Sequence, residues 1–118
     1  MKNSLIVLLL LFTACSHIEL APKPDDFYDT EKMAAILTDL YLIDGSLQTN
    51  RRAFLNTRTR PDSFIYRKHG IDSLTYAQNF NYYTDRTTEY LEVIEQVVKN
   101  VEVIQAGIKI DKDTIPSI

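Results

Sequence analysis

EKMAAILTDLYLIDGSL, residues 31–47, decides the fold. Met33, Ile36, Leu37, Leu40, Ile43 and Leu47 recur at steps of three and four, the spacing that gathers side chains on one face of an α-helix. Asp29 or Thr30 stands where an N-cap belongs, so the helix runs from about Asp29 to Leu47 with room to continue to Leu55. Gly45 is the residue expected to weaken it or end it early.

The same grammar repeats downstream. Pro61 suits a first helical position and opens a segment carrying Phe64, Ile65 and Lys68. His69-Gly70-Ile71 closes it as a left-handed glycine stop followed by an apolar residue that folds back on the last turn. Asp72 or Ser73 caps a third helix with Leu74, Ala77, Phe80 and Tyr83, about three turns long. Asp85 is expected to cap the longest segment, in which Leu91, Ile94, Val97, Val98, Val101 and Ile104 form an apolar stripe up to Gly107. Val and Ile are poorer helix formers than Leu or Ala, so this helix draws its stability from packing. Ile108 and Ile110 alternate briefly before Pro116, which reads as a frayed end or a lone strand. The expected class is all-α, a small bundle of about four helices.

Upstream, Lys2, the unbroken apolar run Leu5 to Phe12 and the small pair Thr13-Ala14 precede the only cysteine. This is a removable export segment. Its apolar run has eight residues, whereas a helix crossing the hydrocarbon core needs about 20. Bulky Phe12 disfavours ordinary cleavage after Ala14, which wants a small side chain there. LFTAC, residues 11–15, is similar to a bacterial lipobox with Phe12 in place of the usual Leu. That resemblance implies that Cys15 is lipidated and becomes the first residue, with two or three acyl chains binding durably. Residues 1–14 are then the signal peptide, 15–27 a lipidated flexible tether, 28–107 the helical domain and 108–118 a C-terminal tail. The Pro- and Asp-rich stretch 16–27 lacks apolar periodicity and reaches roughly 35 to 40 Å when extended. Ser16 rather than Asp after the cysteine implies the outer membrane, and the absence of an acidic cluster immediately after Cys15 favours its periplasmic face over the cell surface.

EKMAAILTDLYLID, then YRKHGIDSLTYAQNFNYYTD, then a last amphipathic helix resembles a family of short Bacteroidota lipoproteins whose helical domain has no assigned function. The resemblance covers roughly Glu31 to Val101, and KHGID (Lys68 to Asp72) with Phe80, Tyr82 and Tyr83 is its most specific part. A proline often follows the aspartate that opens the last helix in that family, whereas Arg86 stands here. The resemblance implies location and fold, not an activity.

The mature chain has 104 residues, enough for one domain. Its 12 Lys and Arg face 16 Asp and Glu, a weakly acidic balance that argues against a nucleic-acid ligand. With Cys15 acylated no thiol remains for a disulfide or a metal, and the two histidines have no ligand partners at the required spacing. With Gly45, Gly70 and Gly107 the only glycines, there is no phosphate-cradling loop. His69 reads as a cation at a helix C-terminus rather than a proton-transfer group. No catalytic residue, metal or cofactor is expected.

Two surfaces are candidates for contact. Arg51, Arg52, Arg58, Arg60, Arg67 and Lys68 meet one acid, Asp62, in a connector of local charge +5, against −9 for the rest of the mature chain. Lipid phosphates, anionic glycans or an acidic partner would suit it, and balance against Glu89, Glu92, Glu95 or Glu102 is the plainer reading. Tyr76, Tyr82, Tyr83 and Tyr90 around the third and fourth helices suit a binding surface, or more simply the boundary of a small core. The function expected is a non-enzymatic envelope lipoprotein that serves as an interaction or accessory subunit for an envelope protein partner. A small-ligand carrier or hydrolase accessory with a Tyr-lined groove, and a structural spacer, are the alternatives.

Overall fold

The computed structural model describes residues 1, 3, 19–56 and 60–114. Among them are five helices and no strand: α1 Thr30–Thr49, α2 Arg51–Asn56, α3 Pro61–His69, α4 Ser73–Thr84 and α5 Thr87–Thr114. The protein is the small all-α bundle that the periodicity predicts. Residues 4–18, with Cys15, and residues 115–118 lie outside the described part.

The Asp29 carboxylate caps α1 by accepting from the Lys32 amide at 2.8 Å. Gly45 does not end the helix, which runs on to Thr49. The break comes at Asn50, where the backbone leaves helical geometry (φ −143°, ψ 63°). Its side chain then accepts from the Ala53 amide at 3.3 Å, opening α2. Pro61 begins α3 as expected, and Gly70 ends it at φ 61°, ψ 39°. The Gly70 amide donates to Arg67 and the Ile71 amide to Tyr66, which ties off the last turn.

α1 and α5 form the central pair and run in the same direction, with Tyr28 beside Tyr83 at one end and Thr38 beside Asn100 further along. α3 packs on α1, and α4 on α5. Met33, Ala34, Ile36, Ile65, Tyr83 and Val93 meet in the core with Tyr28. Full burial of an aliphatic side chain contributes about 1.5–3 kcal/mol, so Met33, Ile36, Ile65 and Val93 are its main anchors.

Four expectations are corrected. In α4 the buried residues are Asn79 and Tyr83, while Leu74 and Ala77 face solvent. In α5 the fully buried residue is Val93, absent from the expected stripe. α5 also passes Gly107 and reaches Thr114, so residues 108–114 are neither frayed coil nor strand. The fourth correction concerns the tether. Residues 21–28 lie along α4 and the start of α5 as a docked strap, with Tyr28 wholly buried.

Candidate interaction surface

The strap is held by polar groups that serve the backbone. Asn79, fully buried, accepts from the Tyr28 amide at 2.7 Å and donates to the carbonyls of Asp26 at 2.8 Å and Thr75 at 2.9 Å. The Tyr83 hydroxyl donates to the Tyr28 carbonyl at 2.8 Å. Asp85 accepts from the Ala21 amide at 2.8 Å instead of capping α5. Arg86 donates to the carbonyls of Ala21 and Tyr82 at 3.0 and 2.9 Å and lies 3.9 Å over the Tyr82 ring. A proline at Arg86 would lack all three contacts.

These bonds also settle where the candidate tyrosines sit. Phe27 packs edge-on to Tyr82 and stacked on Tyr83, and Phe80 lies between Tyr76 and Tyr90. Burial pushes the Tyr76 and Tyr83 hydroxyls above their usual pKa. Tyr83 is interior, and Tyr76, Tyr82 and Tyr90 pack against the core as boundary residues. They form a packed aromatic corner with Phe27 and Phe80.

KHGID holds α3 to α1. Lys68 Nζ lies 2.8 Å, and His69 Nε2 2.6 Å, from the Asp39 carboxylate. Burial pushes the Asp39 carboxyl up, but hydrogen bonds from Lys68 and His69 outweigh it and hold the group below its ordinary value. The neighbouring Thr38 hydroxyl donates to the Ala34 carbonyl and accepts from the Asn100 amide. Asp72 accepts from the Thr75 amide and hydroxyl at 2.9 and 2.7 Å and caps α4. The motif is a staple and two caps. Among the described residues no three His, Cys, Asp or Glu side chains gather in a metal-binding arrangement.

Arg51 and Arg52 are exposed on α2, Arg60 faces Asp62 at 3.2 Å, Arg67 is exposed and Lys68 is engaged by Asp39. Arg58 lies outside the described residues. For Arg60 and Lys68 the acidic neighbours are Asp62 and Asp39, not the glutamates of α5.

A different surface emerges on α5. Tyr90, Val93, Val97 and Asn100 face the core and α1, while Leu91, Ile94, Val98, Val101, Gln105 and Ile108 follow a second line of three- and four-residue steps. Leu91 is 55% exposed, Val98 51% and Ile108 54%, and Tyr41 of α1 stands beside this line at 64%. Tyr41, Ile94, Val97, Val98, Val101, Glu102 and Gln105 line a shallow hollow of about 450 Å³. The expected stripe therefore spans two lines: Val97 packs against the core and also borders the hollow, Leu91, Val98 and Ile104 are exposed, and Ile94 and Val101 are half-buried. Among the described residues no helix is long and apolar enough to cross a membrane.

A family model described as "Domain of unknown function (DUF4296)" matches residues 24–106. Its start at Pro24 places part of the docked strap inside the shared domain. No curated protein and no solved structure matches the chain.

Proposed function

We propose, for a chain that belongs to the DUF4296 family, the role of a non-enzymatic envelope lipoprotein that is anchored through Cys15 and docks a helical partner on the exposed face of α5. The observation that carries this reading is the exposure of Leu91, Val98 and Ile108 on one line of α5, with half-buried Ile94 and Val101 between them and Gln105 as its one polar member. LFTAC supports the anchor, and the packed tyrosine corner supports protein contact over a ligand groove. The outer membrane, facing the periplasm, is the proposed location, on Ser16 after the cysteine and the absence of an immediate acidic cluster.

The docked strap sets the body's orientation in this reading. Here the anchor lies N-terminal to Ala21, the strap residue held by Asp85 and Arg86 at the α4–α5 corner. The α4–α5 corner then stands nearest the bilayer, and α2 lies at the far end of the 20-residue α1, about 30 Å further out. Charges at that distance are screened from the anchoring membrane, because the Debye length is about 8 Å at physiological salt. Replacing Cys15 by Ser should abolish lipid labelling and release the protein from the membrane fraction. Undiminished labelling in that variant would reject the anchor.

A further inference from the structure

The α5 surface suggests its own occupant. Leu91, Ile94, Val98, Val101, Gln105 and Ile108 are spaced three, four, three, four and three apart, the a/d repeat of a coiled coil, over 18 residues or about 27 Å of helix. We propose, building on the docking role above, that this seam pairs with the same seam of a second copy, the two α5 helices lying parallel in a homodimer.

Three observations select that partner and that direction. First, the strap brings the chain to the same end of the body in every copy, at the start of α5. Two copies anchored to one membrane by that end, as proposed above, bring the starts of their α5 helices to the same side, which is the arrangement parallel pairing needs. Second, the charges fit parallel pairing and resist the reverse. In parallel alignment Glu95, Glu102 and Lys109 fall opposite Tyr90, Val97 and Ile104 of the other copy, with no like-charge pair. Antiparallel alignment of the same seam, Leu91 over Ile108, sets Glu95 of each copy beside Glu102 of the other along one flank, two like-charge pairs that destabilise it. Gln105 then meets its own counterpart, and its amide both donates and accepts, as a register-setting polar residue at an a position does.

Third, the area suits a dimer aided by its anchor. A half-exposed large side chain offers on the order of 100 Å². Leu91, Val98, Ile108, Tyr41 and Gln105 therefore present on the order of 500 Å² per copy, about 1,000 Å² in total and just below the roughly 1,200 Å² of a specific interface. Confinement to one membrane raises the effective concentration and makes a contact of that size sufficient.

Cysteine variants of the full-length chain in its own membranes test this. Under mild oxidation Val98→Cys and Gln105→Cys should form disulfide-linked dimers at least tenfold more efficiently than Glu92→Cys, which lies outside the seam. A mixture of Leu91→Cys and Ile108→Cys chains should link no better than Glu92→Cys. In detergent, Val98→Asp should lower the dimer fraction severalfold by sedimentation with the helical circular-dichroism signal unchanged, because the side chain is half exposed. Preferential linking of Leu91→Cys to Ile108→Cys would overturn the parallel arrangement. Absent homodimers from Val98→Cys, with that thiol still shielded from maleimide in the membrane, would overturn the second copy and leave the docking surface standing. A freely labelled thiol without dimers would overturn both.

Discussion

Removing the amide of Asn79 should undo the strap. Asn79→Ala deletes one acceptor and two donor contacts at 2.7, 2.8 and 2.9 Å from a wholly buried site. The three losses are unequal. Asp26 is exposed and its carbonyl can turn to water, and the Thr75 carbonyl lies within α4, whereas the Tyr28 amide is sealed beneath the strap. An unsatisfied buried donor costs about 1–3 kcal/mol, and each remaining neutral bond contributes about 0.5–1.5 kcal/mol. The expected loss is therefore about 2–6 kcal/mol, a large share of the 5–15 kcal/mol that stabilises a typical domain. Urea denaturation followed by circular dichroism measures the total, and amide exchange at Tyr28 reports the site. The variant should unfold at lower urea, and the Tyr28 amide should exchange at least tenfold faster. A loss below about 1 kcal/mol with Tyr28 still protected would show that aromatic packing of Phe27 and Tyr28, not Asn79, holds the strap.

Two glycines should respond in opposite directions to alanine. Gly70→Ala places a β-carbon at φ 61° and should destabilise by about 1 kcal/mol, whereas Gly45→Ala in mid-helix meets nothing within 4 Å and should stabilise by about 0.4–1 kcal/mol, both read from thermal melts. Acid should test the staple at Asp39. Its folded carboxyl titrates below the ordinary value, so its contribution is fully present above pH of about 4 and is lost as pH falls through the folded pKa. Asp39→Asn should lower stability at neutral pH and flatten the acid limb of stability against pH, and an unchanged limb would assign acid sensitivity to other carboxylates.

The helices were legible because their caps and stops act locally. Asp29, Pro61, Gly70 and Asp72 each do in three dimensions what their position in the sequence implies. The phase of α4 and α5 was not legible. α5 carries apolar residues over more than half its circumference, so steps of three and four can be drawn through Val93 and Val97 or through Leu91, Ile94 and Val98. Only the position of α1 decides which line is covered. In α4 the buried face is built around an amide, and hydrophobic patterning cannot show that Asn79 is interior when its partners are backbone groups 51 and 53 residues away. The same reason hid the strap, since a Pro- and Asp-rich segment has no apolar period and is fixed by Asn79, Asp85 and Arg86. Asp39 left a fainter trace, as an acid between Ile36 and Leu40 on a buried helix. Its partners, Lys68 and His69, were visible only as a cap and a surface cation.

Photo-crosslinking in living cells bears most directly on the exposed face of α5. A benzophenone side chain placed at Val98 of the full-length chain, with Glu92 as the outward-facing control, reports whether protein covers the seam. Irradiation should give a discrete adduct from position 98, at twice the mass of the chain if the partner is a second copy, and little from position 92. Equal yields from the two positions, or none from either, would mean that water covers the seam and that α5 docks nothing.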